Sequence, residues 1–346
     1  MEKINVLMTG AGAPGGPGII KALLSDDRIN LVTVDANSNA SGRYLSNKFI
    51  QIPSADNDKF IDTIIDICKE NNIQIVFPLV TRELFRFAAC KQQFDEINVK
   101  VIVSDYSSLN IVNDKVKVYD FLASKDILTP AYRTVYNYDQ FEQAIFELGY
   151  PDIPVCFKPA ISNGSRGFRV LNNNIDEFQL LFNEKPNSTY ISLDKVKSIF
   201  SRNKIPELLV SEYLPGEEYT IDSIVNHGKV RLVIPRIRSK MNNGISVAGN
   251  FEMNAEIIDY SNQILNSLPL HGPIGIQVKK SVSGVFKILE INPRVQGTSC
   301  ALLGGGINFP VACVDNELDI DISDYTNHFN WNIAFARYYS EVFYEL

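Results

Sequence analysis

Histidine is scarce in this chain: only His227, His271 and His328 occur in 346 residues, and none is paired at metal-ligand spacing. That scarcity argues against a zinc site and against a nucleophilic triad built on an imidazole base. The five cysteines, Cys68, Cys90, Cys156, Cys300 and Cys313, include no C-x-x-C pair and sit among apolar or helical neighbours. They read as buried free thiols of a reducing compartment. No apolar run approaches the roughly 18 residues a membrane helix needs, and the first apolar stretch breaks at Thr9-Gly10, too early for a signal peptide. Positive charge is short as well. Lys and Arg number 33 against 40 Asp and Glu, a net charge of −7. This disfavours a nucleic-acid surface or an anionic membrane as partner, so an anionic ligand must meet a local cluster of cations. The expectation is a cytoplasmic enzyme or binder acting on small molecules.

What is present points first to a dinucleotide fold. Gly10, Gly12 and Gly15 in "VLMTGAGAPGGPGII" follow an apolar strand with G-x-G-x-x-G spacing, and Asp35 lies 20 residues beyond Gly15. Strand and helix signals alternate over residues 1–107, which predicts an open parallel sheet. In such a sheet the Gly10–Gly18 loop and "LVTRE" (Leu79–Glu83) share the ligand-binding edge, where Gly12, Pro14, Gly15, Thr81 and Glu83 are candidate substrate residues. From about residue 108 the pattern changes. A helix begins near Asn113 or Asp114, the segment 172–206 is poor in apolar residues, and later strands alternate as in an antiparallel sheet. The aromatic C-terminal stretch "NWNIAFARYYSEVFYEL" reads as a packed closing element.

Four stretches carry chemistry. In "KILEINPR", Glu290 and Asn292 are two apart on a strand and leave one face, pairing a carboxylate with an amide oxygen suited to Mg²⁺; Gln277 on the preceding strand is a third oxygen donor. In "VIPRIRSKM", Arg236, Arg238 and Lys240 alternate, so a regular strand puts three cations on one face, where an anion would relieve their repulsion. An Asp or Glu on a neighbouring strand would do so equally. Lys158 ends a strand before the glycine loop 162–167, a hairpin whose N–H groups can cover phosphates. "ELLVSEYLPGEEY" is a strand ending in a turn, where main-chain groups can read an adenine edge and Glu218 a ribose.

These four pieces, in this order, resemble the ATP-grasp superfamily, most closely one half of the carbamoyl phosphate synthetase large subunit, over residues 1 to about 315. The resemblance implies an α/β chain. A Rossmann-like parallel-sheet domain (1–107) is followed by an ATP-grasp domain (108–320) of two α+β lobes, one a mobile lid at about 125–210, and a closing element (321–346). It implies that Lys115 and Lys158 hold ATP phosphates under the lid residues Ser162, Gly164, Ser165 and Gly167. Glu212, Tyr213 and Leu214 match the adenine hinge, and Glu218 the ribose acid. Gln277, Glu290 and Asn292 match the Mg²⁺ ligands, with Mn²⁺ as a substitute. Arg294 matches the arginine beside the γ-phosphate, and Arg236, Arg238 and Lys240 look like the basic strand next to the triphosphate.

Gly297 stands where the synthetase relatives carry a second arginine, and the 346 residues hold one ATP-grasp unit without an amidotransferase module, so carbamoyl phosphate synthesis is not expected. The implied reaction joins a carboxylate to an amine through an acyl phosphate, releasing ADP and phosphate; the family makes a homodimer through the first domain plausible. Two alternatives stand beside it: a non-catalytic Mg·ATP-binding module, and a nicotinamide oxidoreductase using the N-terminal glycines.

Overall fold

A computed structural model describes residues 3–162, 164, 166–184, 188–242 and 244–345. The chain forms two compact units. One comprises Met1–Asn113, Tyr219–Gln277 and Glu290–Leu346; the other comprises Asp114–Glu218 and Val278–Leu289.

In the first unit, Ile4–Met8 (β1), Ile29–Asp35 (β2), Lys48–Gln51 (β3), Ile75–Phe77 (β4) and Lys100–Val101 (β5) pair in parallel, in the order β3-β2-β1-β4-β5. Both faces of such a sheet are covered at its centre, which is why β1 and β4 read as almost unbroken apolar runs. Val6 and Met8 of β1 enter one core with Ile19, Ile20 and Leu23, to which Phe309 and Val314 of the helix Phe309–Glu317 also contribute. Leu7 enters the opposite core with Phe60, Ile64 and Phe87. The strand order reverses at β1. The loops after β1 and β4 therefore meet at the carboxyl edge, where open α/β sheets bind ligands.

The second unit holds Tyr132–Val135 (β6), Val155–Pro159 (β7), Arg169–Leu171 (β8) and Leu208–Glu212 (β9), antiparallel in the order β6-β9-β7-β8. Its core is aromatic. Phe141 packs edge-on against Phe157 (5.1 Å between centroids) and Phe200 (5.3 Å), contacts worth about 0.5–1.5 kcal/mol each beyond burial.

A six-stranded sheet runs β14-β13-β10-β11-β12-β15. Its strands are Glu218–Asn226 (β10), Lys229–Asn242 (β11), Ile245–Phe251 (β12), Gly272–Lys280 (β13), Phe286–Asn292 (β14) and Ala334–Ala336 (β15). The expected closing element is only half realised. β15 does add to the edge of β12, Gly249 opposite Phe335. Beyond it Tyr338, Tyr339 and Phe343 are 84–91% exposed, while Tyr344 stacks on Tyr44 at 4.2 Å. A run of aromatics buries itself only where the backbone has a sheet edge or face to lie on, and β15 is three residues long.

Candidate active site

The second unit carries the residues matched to the nucleotide. Asp114 caps the helix Lys115–Ala123, accepting from the N–H groups of Val116 (2.9 Å) and Lys117 (3.2 Å). Lys115 is thereby fixed in the first turn, buried, with Nζ donating to the Ser162 carbonyl at 2.7 Å. It anchors the start of the glycine loop. β7 and β8 pair antiparallel on either side of that loop, so the hairpin is present, and Gly164 and Gly167 adopt positive φ within it. Ser165 lies outside the described residues. Lys158 donates from Nζ to the Leu289 carbonyl at 2.9 Å. At the end of β9, the Glu212 carboxylate accepts the Ala131 N–H (2.8 Å) and pairs with Lys287. Leu214 is buried, and the Lys279 ammonium lies 5.3 Å from the centre of the Tyr213 ring. Glu218, half-buried, opens β10.

The first unit carries the oxygen donors. Asn292 Nδ2 donates to Glu290 Oε1 at 2.8 Å, as two residues on one strand face can. Gln277 Oε1 on β13 accepts from Arg238 NH1 at 3.1 Å. Among the described residues no three of His, Cys, Asp and Glu gather to hold a metal. A cation here would rest on one carboxylate, amide oxygens and the phosphates of its ligand, a set that fits Mg²⁺. Arg294, two residues past β14, donates from Nε to Thr81 Oγ1 (3.0 Å) and from NH1 to the Val295 carbonyl (2.9 Å). Burial pushes its pKa down and the nearby Glu290 charge opposes the shift. A guanidinium stays charged regardless.

The three cations of β11 do not share a face. Arg238 stands opposite Gly249 but Lys240 stands opposite Ala248, so Ser239 is an extra residue. Such a bulge turns Lys240 to the other face, where it is exposed. Arg236 is 1% exposed, and its anion is the protein's own: Nε donates to Asp222 Oδ2 on β10 at 2.7 Å. Of the three, Arg238 alone bonds to a candidate metal ligand.

At the carboxyl edge of the parallel sheet, Asp35 accepts the N–H groups of Gly12 (2.7 Å, Oδ2) and Asn37 (2.8 Å, Oδ1). The acid at the ribose-binding position of a dinucleotide fold is thus tied to the backbone of its own loops. Gly15 is needed for a close approach, since a methyl group there would sit 2.6 Å from the Gly297 Cα. Pro14 offers its carbonyl to Arg337 (3.1 Å). Gly297 therefore brings the loop after Arg294 against the glycine loop.

Glu83 is 6% exposed beside this edge and accepts the Thr9 hydroxyl. Burial raises its pKa from 4.5 to about 7, with the Asp35 charge adding to the rise. Between those values the folded state holds a proton that the unfolded state has lost, so stability falls as pH rises through this window and levels off above about 7. The cost at neutral pH is about 3 kcal/mol. Glu83→Gln keeps an acceptor for Thr9 and removes the titration. Its urea midpoint is expected to be nearly flat over the window of about pH 4.5–7 in which the wild type declines. A wild-type slope in the variant would locate the titration elsewhere.

Asp222, Ser246, Gln296 and Ser299 join this region without having been singled out in the sequence. The only signal for Asp222 is an acid inside the apolar run "YTIDSIV", where 1% exposure makes a partner obligatory.

Two family models match. One, described as ATP-grasp in the biosynthetic pathway with Ter operon, covers residues 204–334; the other, PylC-like, N-terminal domain, covers residues 7–102. Among curated proteins, the carbamoyl phosphate synthase large chain of Clostridium botulinum (strain Eklund 17B / Type B) is 23% identical over 214 residues, 59% of this chain and 18% of that protein. The same enzyme from Thermoplasma acidophilum is 25% identical over 225 residues, 62% and 20% of the two chains. The chain matches only about a fifth of the length of these relatives. Solved structures with this fold include an N5-carboxyaminoimidazole ribonucleotide synthetase in its ADP complex (TM-score 0.69, 16% identity, 92% of this chain and 78% of that one). An L-amino acid ligase from Bacillus licheniformis also has it (TM-score 0.68, 13% identity, 96% and 79%).

Proposed function

Since the chain carries an ATP-grasp domain behind a PylC-like N-terminal domain, and is homologous to the carbamoyl phosphate synthase large chain, we propose that it is an ATP-dependent ligase joining a carboxylate to an amine. The observation that carries the reading is a set of charged side chains within the first unit, each held by a neutral polar partner, with the Glu290 charge acting on Arg294. Glu290 bonds to Asn292, Gln277 bonds to Arg238, and Arg294 is held by Thr81. A bare nucleotide binder has no use for a half-buried, oriented guanidinium two residues from its candidate metal ligands.

A carboxylate is a poor electrophile at neutral pH because hydroxide is a poor leaving group. Attack of its oxygen on the γ-phosphate of ATP gives an acyl phosphate and ADP; attack of the amine on the acyl carbon then gives an amide and phosphate. Little covalent chemistry falls to the protein, whose task is positioning and charge stabilisation. Lys115 and Lys158 hold phosphate oxygens, and the loop 162–167 covers them so that water does not hydrolyse the acyl phosphate. The main chain of Glu212–Leu214 takes the adenine and Glu218 the ribose. Arg294 and Arg238 stabilise the charge that develops on the transferred phosphoryl group. Gln277, Glu290 and Asn292 would hold Mg²⁺, which would supply positive charge to stabilise the phosphoryl transfer. Gly12, Pro14, Gly15, Thr81 and Glu83 border the substrates. The free thiols of Cys68, Cys90, Cys156, Cys300 and Cys313 suit a cytoplasmic setting.

The test is phosphate and ADP release with Mg·ATP against a matrix of carboxylic acids and amines. Release of ADP that requires one acid together with one amine is the expected result. Binding of Mg·ATP with no ADP formed by any pair would overturn the ligase reading in favour of a binding module.

A further inference from the structure

Within the first unit a continuous hydrogen-bonded chain runs from Asp222 to Gln277. Asp222 is fully buried and serves three donors: Arg236 Nε at 2.7 Å on Oδ2, and Gln296 Nε2 at 3.3 Å with the Ser299 hydroxyl on Oδ1. Arg236 NH1 reaches on to Ser246 Oγ at 3.4 Å, and the same hydroxyl oxygen accepts Arg238 Nε at 3.1 Å. Arg238 NH1 then donates to Gln277. Gln296 and Ser299 also close the loop that follows Arg294, the Gln296 N–H donating to Ser299 Oγ at 3.1 Å. Gln296 lies flat over Gly275 of β13, where a methyl group would come within 2.2 Å of its side chain. One buried carboxylate thus ties β10, β11 and the loop after Arg294 together.

We propose that Asp222 and Arg236 are positioning residues, which orient Arg238 toward Gln277 and hold the loop behind Arg294 through Gln296 and Ser299. The role rests on the ligase reading, and it moves Arg236 away from the triphosphate. Its charge does its work inside the sheet. A buried ion pair is weak support for stability as such, since neutral partners of similar shape hold a core together equally well. What a neutral pair cannot reproduce here is reach: Gln at position 236 is too short to bridge Asp222 and Ser246.

That difference separates positioning from stability. The full chain and its Asp222→Asn, Arg236→Gln and doubly substituted forms are compared by thermal unfolding and by titration with Mn²⁺ in the presence of ATP. Each single substitution leaves a buried charge or its partner alone, and is expected to lower Tm and to weaken Mn·ATP binding by about tenfold or more, the usual cost of removing a residue that orients a metal ligand. The double variant, with no lone charge, is expected to recover most of the Tm while keeping the binding loss. Recovery of Tm and Mn·ATP affinity together would reduce the network to a stabilising one and overturn the proposal. Wild-type affinity in either single variant would do the same. A wild-type chain that binds no Mn·ATP would instead overturn the ligase reading, and the positioning role with it.

Discussion

Glu290→Gln is expected to lower ADP formation on the order of 10²–10³-fold while the protein stays folded, as loss of one electrostatic stabiliser at a reacting centre does. Glu290 is the only carboxylate in the candidate Mg²⁺ set, and the other two members, Gln277 and Asn292, are neutral amides. Removing it leaves the cation without a charged protein ligand. The local structure has little reason to change. A glutamine in its place still offers an oxygen to the Asn292 Nδ2 that now donates to Glu290 at 2.8 Å. A coupled ADP assay on the acid–amine pair found for the wild type reads the effect, and a melting curve confirms the fold. Turnover at the wild-type rate would place the cation elsewhere.

Arg294→Lys is the second large effect. Arginine here is a fork, with Nε on the Thr81 hydroxyl and NH1 on the Val295 carbonyl. Lysine carries the same charge on a flexible stem without that geometry. The loss is therefore expected in kcat, by roughly 10²-fold, because the held orientation matters only when charge moves onto the transferred phosphoryl group. KM for ATP should stay close to the wild-type value. Thr81→Val, which removes the Nε partner and leaves the guanidinium, should give a smaller drop of the same kind. A Lys variant with unchanged kcat and a raised KM for ATP would make Arg294 a ground-state binding residue.

The Asp222 network bears on how both results are read. Arg294 and Arg238 are separated by 56 positions in the sequence but are supported from one buried carboxylate, Arg238 through Arg236 and Ser246, and the loop after Arg294 through Gln296 and Ser299. Substitutions at Arg238 and Arg294 should then be less than additive, as they are for groups aligned by a common support.

Much of this protein is written locally, and the sequence alone determined those parts. The doubly covered sheet is legible because the centres of β1 and β2 are buried on both faces, which leaves "VLM" wholly apolar and Thr33 the one polar residue in "LVTV". The start of the helix at Lys115 follows from an Asp with its carboxylate free to cap, and the shared face of Glu290 and Asn292 from the two-residue period of a strand. The tertiary structure decided the rest. A single extra residue at Ser239 reverses the face of Lys240, and the residue pattern of a strand does not announce where its register slips. The partner of Arg236 lies on another strand, the acid at the ribose-binding position is used by the amides of its own loops, and Gly15 is required because Gly297, 282 positions away, comes against it. Local propensity and periodicity describe a residue's neighbours along the chain, whereas these side chains take their roles from neighbours that only the folded packing brings within a few ångströms.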